Sequence, residues 1–158
     1  MALTIAQDPA ADELLSRDPL ALLIGMVLDQ QFPMERAFAS PYLLTQRLGT
    51  PGLDARQLAE MDADELARLF AGPPALHRFP GSMAGRVQAV CRHLVEDYSG
   101  DAAALWTTAS SGAELLERIE SLPGFGKQKA RIFLALLGKQ CGVRPEGWRD
   151  AAGPYGLE

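Results

Sequence analysis

Nine successive positions, Leu20-Ala21-Leu22-Leu23-Ile24-Gly25-Met26-Val27-Leu28, are apolar on nearly every side of a helical wheel. Such a helix belongs inside a shell of other helices, and it is too short to span a bilayer. Asp18-Pro19 supplies its N-cap and first-turn proline, as Asp8-Pro9 does for a shorter helix over residues 10–16. The core run ends at Asp29-Gln30-Gln31-Phe32-Pro33, so two glutamines emerge just before a proline that resists continuing the helix. A further turn of helix is expected over 33–39, then a helix capped by Ser40-Pro41 and stopped by Gly49. Two Asp-capped helices over 54–60 and 62–70 follow, with Leu58, Met61, Leu66, Leu69 and Phe70 facing inward, before Gly72-Pro73-Pro74 breaks the series. Beyond a loop at 76–82, Met83, Val87, Val90, Cys91, Leu94 and Tyr98 mark one face of a helix that Ser82 caps and Gly100 closes. Helices over 101–107 and 111–120 come next, then an apolar-periodic run at 130–137. No stretch alternates apolar and polar residues long enough for a strand, so the chain reads as all-α, a single domain over 1–156. The tail after Gly142 is too rich in Gly and Pro for a long helix, yet it carries Trp148 and Tyr155, which should dock on the rest. Leu157-Glu158 reads as an expression-vector remnant.

Composition narrows the partners. A net charge of −5 argues against a general nucleic-acid coat protein, so any contact with a polyanion must be local. The charge is uneven: residues 1–72 hold 5 Lys/Arg against 11 Asp/Glu, whereas 73–158 hold 10 against 9. Cys91 and Cys141 lack any Cys-x-x-Cys or paired Cys/His spacing, so neither a zinc site nor a four-thiolate cluster is expected and both read as free thiols. With no secretory signal and no membrane partner in view, a cytoplasmic monomer is the expectation.

The chemistry concentrates in Leu122-Pro123-Gly124-Phe125-Gly126-Lys127-Gln128-Lys129-Ala130. A proline and two glycines between two helical runs predict a helix-hairpin-helix over about 112–140. Two glycines one residue apart permit positive φ and leave main-chain N–H groups open at the start of the second helix, where the macrodipole also favours an anion. That combination seats a phosphate. Lys127, Lys129, Arg131, Lys139 and Arg144 lie close by, with no acidic residue from 122 to 145, making this the one strongly cationic segment of an acidic chain. The plain alternative is that the glycines only cap and turn a helical hairpin.

Leu-Pro-Gly-Phe-Gly-x-x-x-Ala between two helices resembles the hairpin of the HhH-GPD superfamily, the DNA glycosylases and endonuclease-III-like enzymes of base excision repair. The buried helix ending in Asp29-Gln30-Gln31 and the loop 76–82 leading into the helix at 83–98 resemble further elements of that fold, in the matching order. Leu28-Asp29-Gln30-Gln31, Ala75-Leu76-His77-Arg78-Phe79-Pro80-Gly81-Ser82 and Pro123-Gly124-Phe125-Gly126-Lys127-Gln128-Lys129-Ala130-Arg131 look most like a mainly actinobacterial subfamily that lacks an iron–sulfur cluster.

The resemblance implies damaged double-stranded DNA as partner, a location at the nucleoid, and no cofactor beyond a monovalent cation at the 122–126 hairpin. It implies Gln31, with Gln30 beside it, as the wedge into the duplex. Gly124, Phe125, Gly126, Lys127, Lys129 and Arg131 would meet the phosphate backbone, and His77, Arg78 and Phe79 would form a second wedge or a pocket wall. Taken alone, Phe79 reads as a core anchor and His77 as a solvated loop residue. The nucleophilic lysine of lyase-competent members would stand at Gln128, so a Schiff-base step of their kind is not supported. Lys127 and Lys129 point about 100° away from it on a helix. The carboxylate that would stabilise an oxocarbenium-like transition state has two candidates, Asp150 and Glu146, neither at a clean match. The expectation is a DNA-binding base-excision-repair protein, either a monofunctional glycosylase (a hydrolase) or a glycosylase-like lesion binder without lyase activity. A catalytically silent DNA-binding module is the alternative, and a helical scaffold for another protein is a third reading.

Overall fold

The computed structural model describes residues 5–30 and 32–157. Among them lie ten α-helices, one 3-10 turn and no strand: α1 (Pro9–Arg17), α2 (Pro19–Leu28), α3 (Met34–Leu48), α4 (Ala55–Glu60), α5 (Ala63–Ala71), α6 (Pro80–Tyr98), α7 (Ala104–Thr107), α8 (Gly112–Glu120), α9 (Lys127–Gln140), α10 (Trp148–Ala151) and the turn Gly153–Gly156. Asp8, Asp18, Asp54, Asp62 and Ser111 each accept a first-turn N–H through the side chain. Such caps contribute about 1 kcal/mol each to their helices.

Every residue of α2 from Leu20 to Leu28 is buried, which is why the run carries no polar stripe. It packs on α1, α3 and α6. Gly25 allows Phe38 of α3 to close in, since a Cβ there would stand 2.3 Å from the ring. α4 and α5 lie on α6, and the buried Gln88 of α6 fastens the end of α4, its amide donating to the carbonyls of Leu58 and Met61.

Three expected boundaries shift. α3 runs unbroken through Pro41, where a new helix start was expected. The proline removes one backbone donor, but Pro41 is buried with Phe38 and Leu44, and the Ser40 hydroxyl reaches Arg36 O (2.9 Å) and Leu76 O (2.6 Å), so packing carries the helix across. α6 starts at Pro80, a position suited to proline, rather than after a Ser82 cap. The helix expected over 101–107 contracts to the single turn of α7.

The tail docks. Trp148 is buried where glycines leave room: a Cβ on Gly138 would stand 2.3 Å from the indole, and one on Gly112 would stand 2.6 Å from the Trp148 backbone. Gly112 N–H donates to Glu146 O at 2.7 Å, tying the tail to the start of α8. Among the described residues no helix is long and apolar enough to cross a membrane.

Candidate nucleic-acid interface

The hairpin between α8 and α9 is closed by Phe125 N–H donating to Leu122 O (3.1 Å), and Phe125 is buried beside Phe133. Its two glycines serve different ends. Gly124 has φ +82, a conformation costly for any L-residue, and the Arg86 side chain lies where a Cβ would point, 2.8 Å from it. Gly126 has an ordinary extended conformation, and a Cβ there would meet open space. The first glycine makes the turn; the second keeps the approach to α9 clear. α9 has no side-chain cap, and the N–H groups of Lys127, Gln128 and Lys129 have no acceptor among the described residues. An anion placed there would meet bare amides and the positive end of the helix dipole.

Three of the five cations of the segment are engaged by main-chain carbonyls. Lys129 donates to Val27 O at the end of α2 (2.9 Å), Lys139 to Leu157 O, and Arg144 to Gly138 O. Arg131 is half-buried beneath Gly153, its Nε shielded and, among the described residues, without a hydrogen bond. Lys127 alone of the five is exposed without a partner among the described residues. Charge runs are legible in sequence; the carbonyl that a long side chain reaches across the fold is not.

Lys129 ties the hairpin to the end of α2. Burial, helped by the nearby Arg86 cation, lowers its pKa to about 8, against the opposing pull of Asp29. Burial raises the Asp29 carboxyl, which Lys129 opposes. Arg86 Nη1 donates to Gln30 Oε1 (2.6 Å), and its stem covers Gly124, so α6 braces both the hairpin and the end of α2. Sequence reasoning missed this role of Arg86 because its partners lie far along the chain.

His77 and Phe79 exchange their expected places: His77 is 1% exposed and Phe79 is 43% exposed. The reason is a pair of hydrogen bonds. Phe79 N–H donates to His77 Nδ1 (3.0 Å), so that nitrogen is unprotonated, and Nε2–H donates to Gln30 O (2.9 Å). Burial lowers the imidazole pKa, the carbonyl bonds to Gln30 and Leu28 oppose it, and Lys129 and Arg86 lower it further. The ring is therefore a neutral clasp between the end of α2 and the loop before α6. Gln30 is held through its carbonyl and its side chain; Gln31 lies outside the described residues.

Gln128 is exposed, and its amide donates to the Tyr155 hydroxyl at 3.0 Å. Glu146 and Asp150 are both exposed, and neither side chain is bonded to Gln128. Glu146 sits beside the start of α8, and Asp150 lines an open cleft of about 490 Å³ with Arg149, Gly153, Gly156 and Leu157. Nothing in the sequence marked Tyr155 as the group at Gln128. Among the described residues no three His, Cys, Asp or Glu are grouped so as to hold a metal ion. Cys91 and Cys141 are free, and burial pushes the Cys91 thiol up to about 12.

No protein-family model matches the chain, and none of the curated proteins does. Among solved structures it is similar to an endonuclease III trapped as a covalent intermediate with DNA, an estranged-adenine complex, at 19% identity and a TM-score of 0.52. The likeness covers 78% of this chain and 55% of that one, so the chain spans about half the length of the protein it matches. The architecture is thus an all-α bundle with a helix-hairpin-helix, similar in fold to that endonuclease III, in keeping with the all-α reading of the sequence.

Proposed function

We propose that this protein binds damaged double-stranded DNA in base excision repair, seating a backbone phosphate on the hairpin and acting without a lyase step. The observation that supports it best is the uncapped start of α9, with three unpartnered amides, an open approach at Gly126 and the free ammonium of Lys127. Gln31 would enter the base stack when a nucleotide leaves it. The carbonyls of Pro123, Gly124 and Phe125 accept no hydrogen bond among the described residues, so they suit the hard monovalent cation expected at the hairpin. That ion would neutralise charge beside the phosphate.

Gln128 has no amine to form a Schiff base. Hydrolysis of a glycosidic bond without one needs a carboxylate near the sugar, a role proposed for Asp150 or Glu146. Neither carboxylate is hydrogen-bonded to Gln128, whose amide is instead taken by Tyr155, and this favours a second reading, a lesion binder that releases no base. Affinity for a duplex carrying an abasic analogue, compared with the matched intact duplex, tests the common part of both readings; equal affinity would contradict it. Incubation with a panel of damaged oligonucleotides separates them, because a glycosylase releases free base and loses that activity in Asp150→Asn or Glu146→Gln. Borohydride should trap no covalent protein–DNA adduct, and a trapped adduct would overturn the absence of a lyase step.

A further inference from the structure

Gln128, the second residue of α9, and the phenol of Tyr155 form a polar pair at the start of that helix, Gln128 Nε2 donating to Tyr155 Oη at 3.0 Å. The tail is built to bring the phenol there. Trp148 is buried, Arg149 donates to Gly156 O (2.7 Å), and Tyr155 N–H donates to Ala152 O (3.3 Å). The turn is tight, since a Cβ on Gly156 would stand 2.3 Å from Arg149 O. Tyr155 itself is half-buried against the core. The single bond leaves two polar groups unused: among the described residues nothing accepts from the Tyr155 hydroxyl, and nothing donates to Gln128 Oε1. Turning the amide over exchanges the roles and again leaves one donor beside one acceptor. A phosphate does not suit this pair, because its oxygens only accept and one of them would face Oε1. A hydroxyl both donates and accepts, so it does. Position names what bears that hydroxyl. Gln128 springs from the turn whose amides are bare, and a phosphate seated there carries its sugar with it. The sugars within an intact DNA strand have no free hydroxyl. A deoxyribose that has lost its base has one at C1′, and an embedded ribonucleotide has one at C2′.

We infer that the Gln128–Tyr155 pair binds a hydroxyl on the sugar of a damaged nucleotide, the phenol donating to it and Gln128 Oε1 accepting from it. The inference rests on the DNA-binding reading and adds to it a means of telling a damaged sugar from an intact one. Anisotropy titrations at one salt concentration would set a natural abasic duplex, made by removing uracil, against the same duplex carrying tetrahydrofuran, which lacks only the C1′ hydroxyl. Neither duplex has a base at that position, so base reading plays no part. A second comparison sets a single ribonucleotide against its deoxynucleotide. Two hydrogen bonds should favour the hydroxyl-bearing duplex by about tenfold in at least one comparison, and the comparison that shows it identifies the sugar. Tyr155→Phe should cut the preference to about threefold, and Tyr155→Phe with Gln128→Leu should abolish it. Loss of support for the tail alone would weaken both duplexes alike and keep their ratio. A wild-type preference absent from both comparisons, or a ratio unchanged in the double variant, would overturn the inference while leaving DNA binding intact. Failure of the wild-type protein to bind any of the four duplexes would instead bring down the DNA-binding reading.

Discussion

Replacing Lys129 by methionine isolates what it costs to keep an ammonium against the end of α2. The lysine pKa falls from 10.5 to about 8 in the folded protein, chiefly through burial. At about 1.4 kcal/mol per unit the whole shift amounts to roughly 3.5 kcal/mol, and partial solvation of the ammonium reduces this to about 1.5. Because the folded value lies below the unfolded one, the unfolded chain holds the extra proton between them. The penalty is therefore complete below about pH 8, and wild-type stability recovers it as pH rises toward 10.5. Methionine has a similar length and nothing to desolvate, but it gives up the bond to Val27 O, worth about 1 kcal/mol. The variant should equal or exceed the wild type by about 0.5 kcal/mol at pH 7 and fall below it by about 1 kcal/mol at pH 10.5. Urea unfolding of both proteins across that range gives a difference curve in which the other titrating groups cancel. Parallel curves would show that Lys129 is not desolvated, and the contact joining hairpin to α2 would lose its basis.

The hairpin glycines should separate in the same assay. Gly124→Ala, at φ +82 and against Arg86, should cost about 1–2 kcal/mol and lower Tm by roughly 2–8 °C. Gly126→Ala should leave Tm within about 2 °C, and equal losses would contradict the distinct roles given to the two glycines. Trp148→Ala should cost about 3–5 kcal/mol and expose the Gly112 amide to hydrogen exchange; undiminished protection there would show that the tail docks without the indole. Because the folded pKa of His77 lies below 6.5, its contribution to stability is complete above that pH and is lost as pH falls below it. An NMR titration should find His77 neutral down to below 6.5, and a midpoint at or above 6.5 would contradict the two-bond clasp.

The features legible in the sequence were those encoded by neighbours along the chain. The all-round apolar run at 20–28 is the enclosed helix α2, and the aspartates before helices at 8, 18, 54 and 62 cap them as their positions suggested. The Pro-Gly-x-Gly turn stands between α8 and α9. The features that escaped depend on partners far away in sequence. Pro41 stays helical because α3 is buried around it and Ser40 reaches Leu76. His77 is buried because Gln30 O and Phe79 N–H both bind its ring, whereas a loop histidine among Arg, Phe and Pro looks solvated. Lys129 belongs to a basic run by sequence and to the end of α2 by contact. At the candidate catalytic position, Gln128 was visible as a missing lysine, but the Tyr155 hydroxyl beside it was not, since a Gly/Pro-rich tail gives no periodicity from which to place a side chain.

Whether the hairpin seats a phosphate is decided by the salt dependence of binding to a duplex with an abasic analogue, measured in parallel for wild type and Gly126→Ala. A methyl at Gly126 meets nothing within 4 Å in the free protein, so the fold should be unaltered while the approach of a phosphate to the α9 amides is obstructed. Wild-type affinity should fall steeply as salt rises, and the variant should bind at least about tenfold more weakly at low salt with its stability unchanged. Equal binding by the two proteins, or affinity indifferent to salt, would contradict it.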